Sequence, residues 1–157
     1  MPRRRLLLVD DRPYTVDTIV QEFTSRGWLV QQETSLLDGI LALRNGFRSM
    51  TAAVFDRRLP RPLPDDRLRL ERCGVHQAWM DSAEDDAIGG VLGMFLDELL
   101  ERHGVQLPYV YISALVDDDA KGGVGGQVTI DKLSTEREIT LGAQVFHEIE
   151  AKLGGKK

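Results

Sequence analysis

The 157-residue chain has a single cysteine, Cys73, and therefore cannot form an internal disulfide. Neither this cysteine nor the three histidines, His76, His103 and His147, have the spacing of zinc ligands. A reducing compartment fits this composition, and we expect a cytoplasmic protein.

Long hydrophobic runs and an excess of positive charge are also missing. The first apolar segment, Leu6 to Val9, follows basic residues, but Asp10 and Asp11 end it far below the length of a signal-peptide core or a membrane span. The net charge is −5, and the basic cluster near the N terminus is confined to Arg3 to Arg5. We therefore expect neither nucleic acid nor a membrane as a partner.

The most informative stretch is Ala52 to Asp56, a short apolar run that ends on a carboxylate. A strand covered on both faces cannot carry a charge along its length, so Asp56 marks the point where the strand emerges at the carboxyl edge of the sheet. Pro60 lacks an amide donor and stops the strand soon afterwards. Because ligands bind at this edge in open α/β folds, Asp56 is the first candidate for chemistry.

Similar apolar runs predict four further strands at Leu6 to Val9, Trp28 to Val30, Tyr109 to Ile112 and Gln127 to Ile130. Apolar residues at three- and four-residue steps predict helices between the strands, with Thr15 or Asp17 capping the first and Thr34 or Ser35 the second. The alternation favours a parallel, doubly wound sheet with right-handed crossovers. We interpret residues 1–157 as a single domain.

Two segments interrupt this regular pattern. Residues 61–87 begin with a proline cluster and show no sustained apolar period, so they are predicted to be an insertion. Ile88 to Leu100 then has a strong helical stripe, ended by His103 and Gly104. The glycine-rich stretch 122–126 leaves little room for a stable fourth helix.

Polar residues collect at the predicted carboxyl edge: Asp10 and Asp11 after the first strand, Asp56, Ser113 and Lys132 after the third, fourth and fifth. Three neighbouring carboxylates repel each other and call for a cation, and an all-oxygen cluster of this kind suits Mg²⁺. A lysine ammonium and a serine hydroxyl supply contacts to a phosphoryl group on a carboxylate, and carboxylates do serve as phosphoryl acceptors.

The segments Val9-Asp10-Asp11, Phe55-Asp56-Arg57-Arg58-Leu59-Pro60 and Ile112-Ser113-Ala114, together with Lys132, resemble the receiver domain of bacterial two-component response regulators. The similarity extends over nearly the whole chain. It implies a flavodoxin-like sheet of five parallel strands in the order 2-1-3-4-5, in which strands one and three lie side by side at the switch point.

The resemblance also implies roles for the site residues. Asp56 becomes the phosphoacceptor and, with Asp10 and Asp11, part of the Mg²⁺ site, in which Asp11 binds directly and Asp10 through water. The Arg58 backbone carbonyl also faces the metal in this scheme.

Ser113 and Lys132 are then expected to contact the phosphoryl oxygens. The implied partners are a histidine kinase or phosphotransfer protein and an unidentified downstream protein, with a homodimer as a further possibility. We expect a stand-alone receiver that signals by protein–protein interaction and is not an enzyme.

The sequence departs from the family in three places. Asp56 and Ser113 are 57 positions apart, which leaves about 25 residues more than a simple βαβ unit needs. Thr129 stands where an aromatic residue is usual, and Leu133 stands where proline usually follows the lysine. Phosphorylation is compatible with these changes, but the usual output surface is not expected.

Two other functions remain open at this point. One is a receiver-like interaction module that works without phosphorylation. The other is a phosphohydrolase with an aspartate nucleophile, although such enzymes carry a second acid two residues after the nucleophile, where this chain has Arg58.

Overall fold

The computed structural model describes residues 3–114, 129–132 and 140–154. The strands are β1 (Arg5–Val9), β2 (Leu29–Glu33), β3 (Ala52–Asp56), β4 (Tyr109–Ser113) and β5 (Thr129–Asp131). They form one parallel sheet in the order β2-β1-β3-β4-β5, which confirms the predicted flavodoxin-like topology. The sequence of β1, β3 and β4 explains their central place, because nearly every residue in them is apolar and buried.

The helices of the described residues are α1 (Asp17–Ser25), α2 (Leu36–Gly46), α3 (Pro64–Arg72), α4 (Gln77–Ser82), α5 (Gly90–His103) and α6 (Leu141–Gly154). One face of the sheet packs against α1 and α6, and the other against α2 and α5 with the two short helices between them in sequence. None of these helices is long and apolar enough to cross a membrane.

The ends of α1, β2 and α2 refine the sequence predictions. Ser35 is the cap of α2, since its hydroxyl accepts a hydrogen bond from the Asp38 amide at 3.1 Å. Among the described residues α1 has no side-chain cap, because the Thr15 hydroxyl donates instead to the Arg12 carbonyl in a preceding 3-10 turn. Trp28 precedes β2 rather than opening it, so that part of the prediction was wrong.

Trp28 lies just before β2, and its ring is buried in the core. It lies edge-on to Phe23, with ring centroids 5.0 Å apart, and also packs against Phe146 of α6. This aromatic cluster joins α1 and α6 on one face of the sheet, and a strand-by-strand reading of the sequence does not contain it.

The insertion is folded and packed onto the core. Leu70 of α3, Val75 and Met80 of α4 are fully buried against the face covered by α2 and α5. Arg61 holds the segment together, donating to the Met80 carbonyl at 3.0 Å and to the Ala83 carbonyl at 2.5 Å. The apolar pattern of the sequence did not reveal the two helices of this segment, because only one residue in each helix is fully buried.

Some predictions fall outside the described residues. These are the reduced fourth helix and its glycine-rich stretch 122–126, the first part of the predicted fifth strand, and the position of Leu133. The described part of that strand runs one residue further than predicted, to Asp131.

Candidate functional site

The ends of the two central strands bring the acidic residues together. Val9 and Phe55 are register partners in the adjacent strands β1 and β3, so Asp10 and Asp56, each the next residue along, emerge side by side. Asp11 follows directly. One carboxylate oxygen from each of the three residues lies within 4.8 Å of the others. Parallel strand order thus turns separate sequence positions into one cluster.

Backbone amides hold two of these carboxylates in place. The Arg12 amide donates to Asp10 Oδ1 at 2.7 Å, and the Arg58 amide donates to Asp56 Oδ1 at 3.0 Å. In both cases the donor is two residues beyond the acid, which is the geometry of an Asx turn. Both side chains are buried, with exposed fractions of 2% for Asp10 and 3% for Asp56.

Lys132 faces the remaining oxygens of the same two acids. Its Nζ donates to Asp10 Oδ2 at 2.8 Å and lies 3.5 Å from Asp56 Oδ2. The lysine is positioned by its own backbone, since its amide donates to the Ser113 carbonyl at 2.9 Å. The structure therefore places Lys132 among the acidic residues, whereas the role suggested for its ammonium remains a prediction.

Ser113 lies at the same edge as the last residue of β4. It directly follows Ile112, the register partner of Asp56, and its side chain is buried. The pairing of the two strands extends one residue past Asp56, because the Arg57 amide donates to the Ile112 carbonyl at 3.0 Å. The fold thus places a hydroxyl-bearing residue at the end of the strand that neighbours β3.

The cluster has three carboxylates and one ammonium group, so its negative charge exceeds its positive charge. Burial and the neighbouring Asp10 carboxylate together raise the pKa of Asp56 to about 6, although the Arg58 amide and Lys132 act in the opposite direction. One ammonium therefore does not compensate three carboxylates. A small divalent cation would supply the missing charge.

The chemistry of the donor set fits Mg²⁺. Mg²⁺ is held in proteins by a small number of carboxylate oxygens, with other positions taken by water and phosphate oxygens. Such oxygens come from Asp10, Asp11 and Asp56, within 4.8 Å of one another, and Asp11 is the most exposed of these residues. Arg58 lies next to these oxygens through its amide, and the metal-binding role suggested for its carbonyl stays a prediction.

One backbone contact beneath the site has no counterpart among the sequence predictions. The Gly89 amide donates to the Arg57 carbonyl at 2.9 Å, and a Cβ atom on Gly89 would come 1.8 Å from the Asp56 carbonyl oxygen. Gly89, the second residue after the insertion, therefore packs directly on the backbone of Asp56. The Gly89-Gly90 pair was the only available signal, and sequence alone does not say which backbone a glycine approaches.

Comparisons with known proteins agree on the fold. No family model and no curated protein sequence matches the chain. A response regulator receiver protein from Sinorhizobium medicae WSM419 has a similar structure, with a TM-score of 0.65, 19% identity and coverage of 99% of this chain and 98% of that one.

Two further solved structures are similar. The CheY-like receiver domain from Methanospirillum hungatei JF-1 gives a TM-score of 0.63 at 18% identity, with 98% of this chain and 95% of that chain covered. CheY from Borrelia burgdorferi, solved with CheX, BeF₃ and Mg, gives 0.60 at 17% identity, with 96% and 89% covered. At this level of identity the likeness concerns the backbone. It confirms that the chain has the fold of the response regulator receiver domains.

Proposed function

We propose that this chain is a receiver that accepts a phosphoryl group on Asp56 with the help of Mg²⁺ and signals through protein–protein contacts. One observation carries the proposal. Three carboxylates and a buried lysine meet at the carboxyl edge between the two central strands, which is the ligand-binding position of this topology.

The proposed chemistry uses the carboxylate of Asp56 as the nucleophile. One of its oxygens attacks the phosphorus of a phosphohistidine, the new P–O bond forms as the P–N bond breaks, and the leaving imidazole takes up a proton. In this scheme Lys132, whose Nζ is 3.5 Å from Asp56 Oδ2, pairs with a phosphoryl oxygen, and the Ser113 hydroxyl donates a hydrogen bond to the phosphoryl group.

Asp10, Asp11 and Asp56 are the residues that would hold Mg²⁺. When bound, the ion supplies positive charge that offsets both the carboxylates and the phosphoryl oxygens. The residues of the chain do the positioning, since the amides of Arg12 and Arg58 already fix two of the three acids.

The proposed partners are a histidine kinase or phosphotransfer protein that donates the phosphoryl group and a downstream protein that reads it. The similar CheY from Borrelia burgdorferi was solved together with another protein, CheX. For the present chain, the folded insertion is a surface that a plain receiver does not have, and Gly89, two residues after it, packs on the backbone of Asp56.

A second candidate is an interaction module that works without phosphorylation. The observation that favours it is Thr129, which is buried at 4% exposure where an aromatic residue is usual, and whose hydroxyl has no hydrogen-bond partner among the residues that the structure describes. A small buried residue cannot provide the large side-chain movement by which an aromatic ring would report a change at the site.

Incubation with acetyl phosphate and Mg²⁺, followed by intact-mass measurement, separates the two candidates. We expect one phosphoryl group on the wild type, none on Asp56→Asn, and unchanged labelling of Asp86→Asn, which removes an exposed acid of the insertion. Labelling that persists in Asp56→Asn would exclude Asp56 as the acceptor. A folded wild type that takes up no phosphoryl group would favour the interaction module.

A further inference from the structure

A second pocket lies at the opposite edge of the molecule from Asp56. It has a volume of about 310 Å³ and is formed by the C-terminal ends of α2 and α5 and by the connection between α3 and α4. Helices that alternate with parallel strands run against them, so these helix ends lie at the amino edge of the sheet. The pocket is therefore independent of the acidic cluster and of the proposed function.

The walls of this pocket carry positive charge without matching acids. Arg44 lines the pocket, and its Nη1 lies 3.8 Å from the Cys73 thiol. Arg48 does not line the pocket, but its Nη2 lies 3.1 Å from Nδ1 of the lining residue His103. Because a guanidinium can only donate, His103 Nδ1 accepts and its ring proton lies on Nε2. Within the described ranges, neither arginine has an ion pair with a carboxylate.

Glu98, the acid that lines the pocket, is already paired. It accepts from Arg102 at 3.1 Å and contacts His76 Nε2 at 3.1 Å. It therefore does not offset Arg44 or Arg48. The guanidinium charges of Arg44 and Arg48 are therefore not offset by a carboxylate in the part of the chain that the structure describes.

The floor of the pocket is apolar and partly aromatic. Phe47, Phe95 and Leu99 line it, and each keeps a small exposed fraction. The Phe47 ring lies 5.1 Å from the His103 ring, and the Arg48 guanidinium lies 5.1 Å from the Phe47 centroid. Flat groups and delocalised cations thus surround a space that suits a ring better than a compact inorganic ion.

We propose that this pocket binds a small organic anion, one in which a carboxylate or phosphate group is attached to a flat apolar ring. Guanidinium groups pair with such anionic groups through charge-assisted hydrogen bonds, and an apolar floor with few convergent polar groups is typical of small-molecule sites. The insertion supplies the third wall through Cys73 and Gly74. This wall gives the insertion a role that the acidic cluster does not require.

Cys73, the only cysteine of the chain, lines the pocket and reports on it directly. Its reaction rate is measured with 5,5′-dithiobis(2-nitrobenzoate), whose aromatic rings each carry a carboxylate, and with the uncharged 2,2′-dithiodipyridine. The uncharged reagent reports the reactivity of the thiol itself. The ratio of the two rates therefore isolates recognition of an aromatic anion.

We expect Arg44→Gln to lower this ratio about tenfold, the effect of losing one charge-assisted hydrogen bond. Arg72→Gln is the matched control, because Arg72 is exposed and adjacent to Cys73 in sequence but does not line the pocket. Its ratio should stay within about twofold of the wild type, since an exposed side chain outside the pocket makes no hydrogen bond to a reagent bound inside it.

A non-reactive aromatic dicarboxylate, isophthalate, completes the test. It should protect Cys73 of the wild type from the uncharged reagent in a saturable manner, with a weaker effect on Arg44→Gln. An equal fall of the ratio in Arg72→Gln, or the absence of saturable protection, would overturn the proposal and leave the arginines as residues that only stabilise the helix ends.

Discussion

At the residue scale, the main feature of the site is the excess of carboxylate charge over the single ammonium of Lys132. Asp10 and Asp56 are built alike, each with one oxygen on a backbone amide and the other facing Lys132. A shared lysine offsets part of the repulsion between them. Burial and the uncompensated part of this repulsion raise the pKa of Asp56 to about 6.

Replacing Asp56 with Asn should therefore stabilise the metal-free protein. The substitution removes a buried charge at nearly constant shape while Lys132 keeps its 2.8 Å contact to Asp10. The raised pKa corresponds to a gain of about 3 kcal/mol in the free energy of unfolding at pH 8. Urea unfolding in EDTA measures it, with Asp86→Asn, an exposed acid, as the control that should show no gain.

The same carboxyl group predicts the pH dependence of that gain. A folded-state pKa of about 6, above the unfolded value of 3.8, means that the folded protein binds the proton more tightly. Wild-type stability should then fall, relative to Asp56→Asn, as the pH rises from 4 to 6, and the difference should stay constant above this window. A gain that is equally large at pH 4 and pH 8 would show that charge is not its cause.

At the element scale, the start of α5 is fitted to the end of β3. Gly89 donates to the Arg57 carbonyl and packs on the Asp56 carbonyl, and the Tyr111 hydroxyl of β4 donates to the Gly90 carbonyl at 3.1 Å. The helix that follows the insertion is thus seated on the backbone of the proposed acceptor. A displacement of the start of α5 should therefore also displace the backbone of Asp56.

Gly89→Ala should destabilise the fold by about 2 kcal/mol or more, because the added methyl group overlaps backbone atoms that cannot move aside. It should also weaken Mg²⁺ binding, measured by calorimetry, since the displaced backbone belongs to Asp56.

The comparison variant is Gly104→Ala, at the end of α5, where φ is +63° and a Cβ meets no atom. This variant should cost about 1 kcal/mol from backbone strain alone and leave Mg²⁺ binding unchanged. Equal loss of Mg²⁺ binding in both variants would contradict the coupling.

The elements differ in how far the sequence could predict them. β1, β3 and β4 were predictable because a short apolar run that ends on a polar residue is typical of a strand buried on both faces. The α3 helix was not, because most of its residues are charged and Leu70 is its one fully buried side chain, although Pro64 followed by two acids is a usual helix start. Helices that depend on a single anchor leave no apolar period to detect.

At the scale of the whole molecule, arginine side chains hold the parts of the insertion together through hydrogen bonds. Arg61 spans three acceptors on the Met80-to-Asp85 segment, and Arg67 of α3 joins Gln77 and Asp81. These polar contacts add to the burial of Leu70, Val75 and Met80, and their loss should lower the local stability of the segment.

Arg61→Gln should therefore open the insertion without unfolding the sheet. Amide hydrogen exchange over residues 61–87 should become at least about tenfold faster, as expected when about 1.4 kcal/mol of local stability is lost, with little change in β1 and β3. Arg72→Gln, which lacks such ties in the described structure, is the control. Uniformly faster exchange across the sheet would mean that the insertion is an integral part of the core.

The two edges of the molecule also show what sequence can say about a site. That Asp10, Asp11, Asp56, Ser113 and Lys132 share an edge followed from strand order alone. The 2.8 Å pairing of Lys132 with Asp10 did not, because it depends on side-chain geometry that no spacing encodes. The basic pocket at the other edge was missed altogether, since Arg44, Cys73 and His103 come from three parts of the chain without a common motif.

The central claim is that the acidic cluster holds a divalent ion together with a phosphoryl group on Asp56. Fluorine NMR with beryllofluoride, a phosphoryl mimic, tests it most directly. We expect a protein-bound fluorine signal that requires Mg²⁺ and disappears in Asp56→Asn. A folded wild type that gives no such signal at saturating Mg²⁺, or a signal that survives in Asp56→Asn, would contradict it.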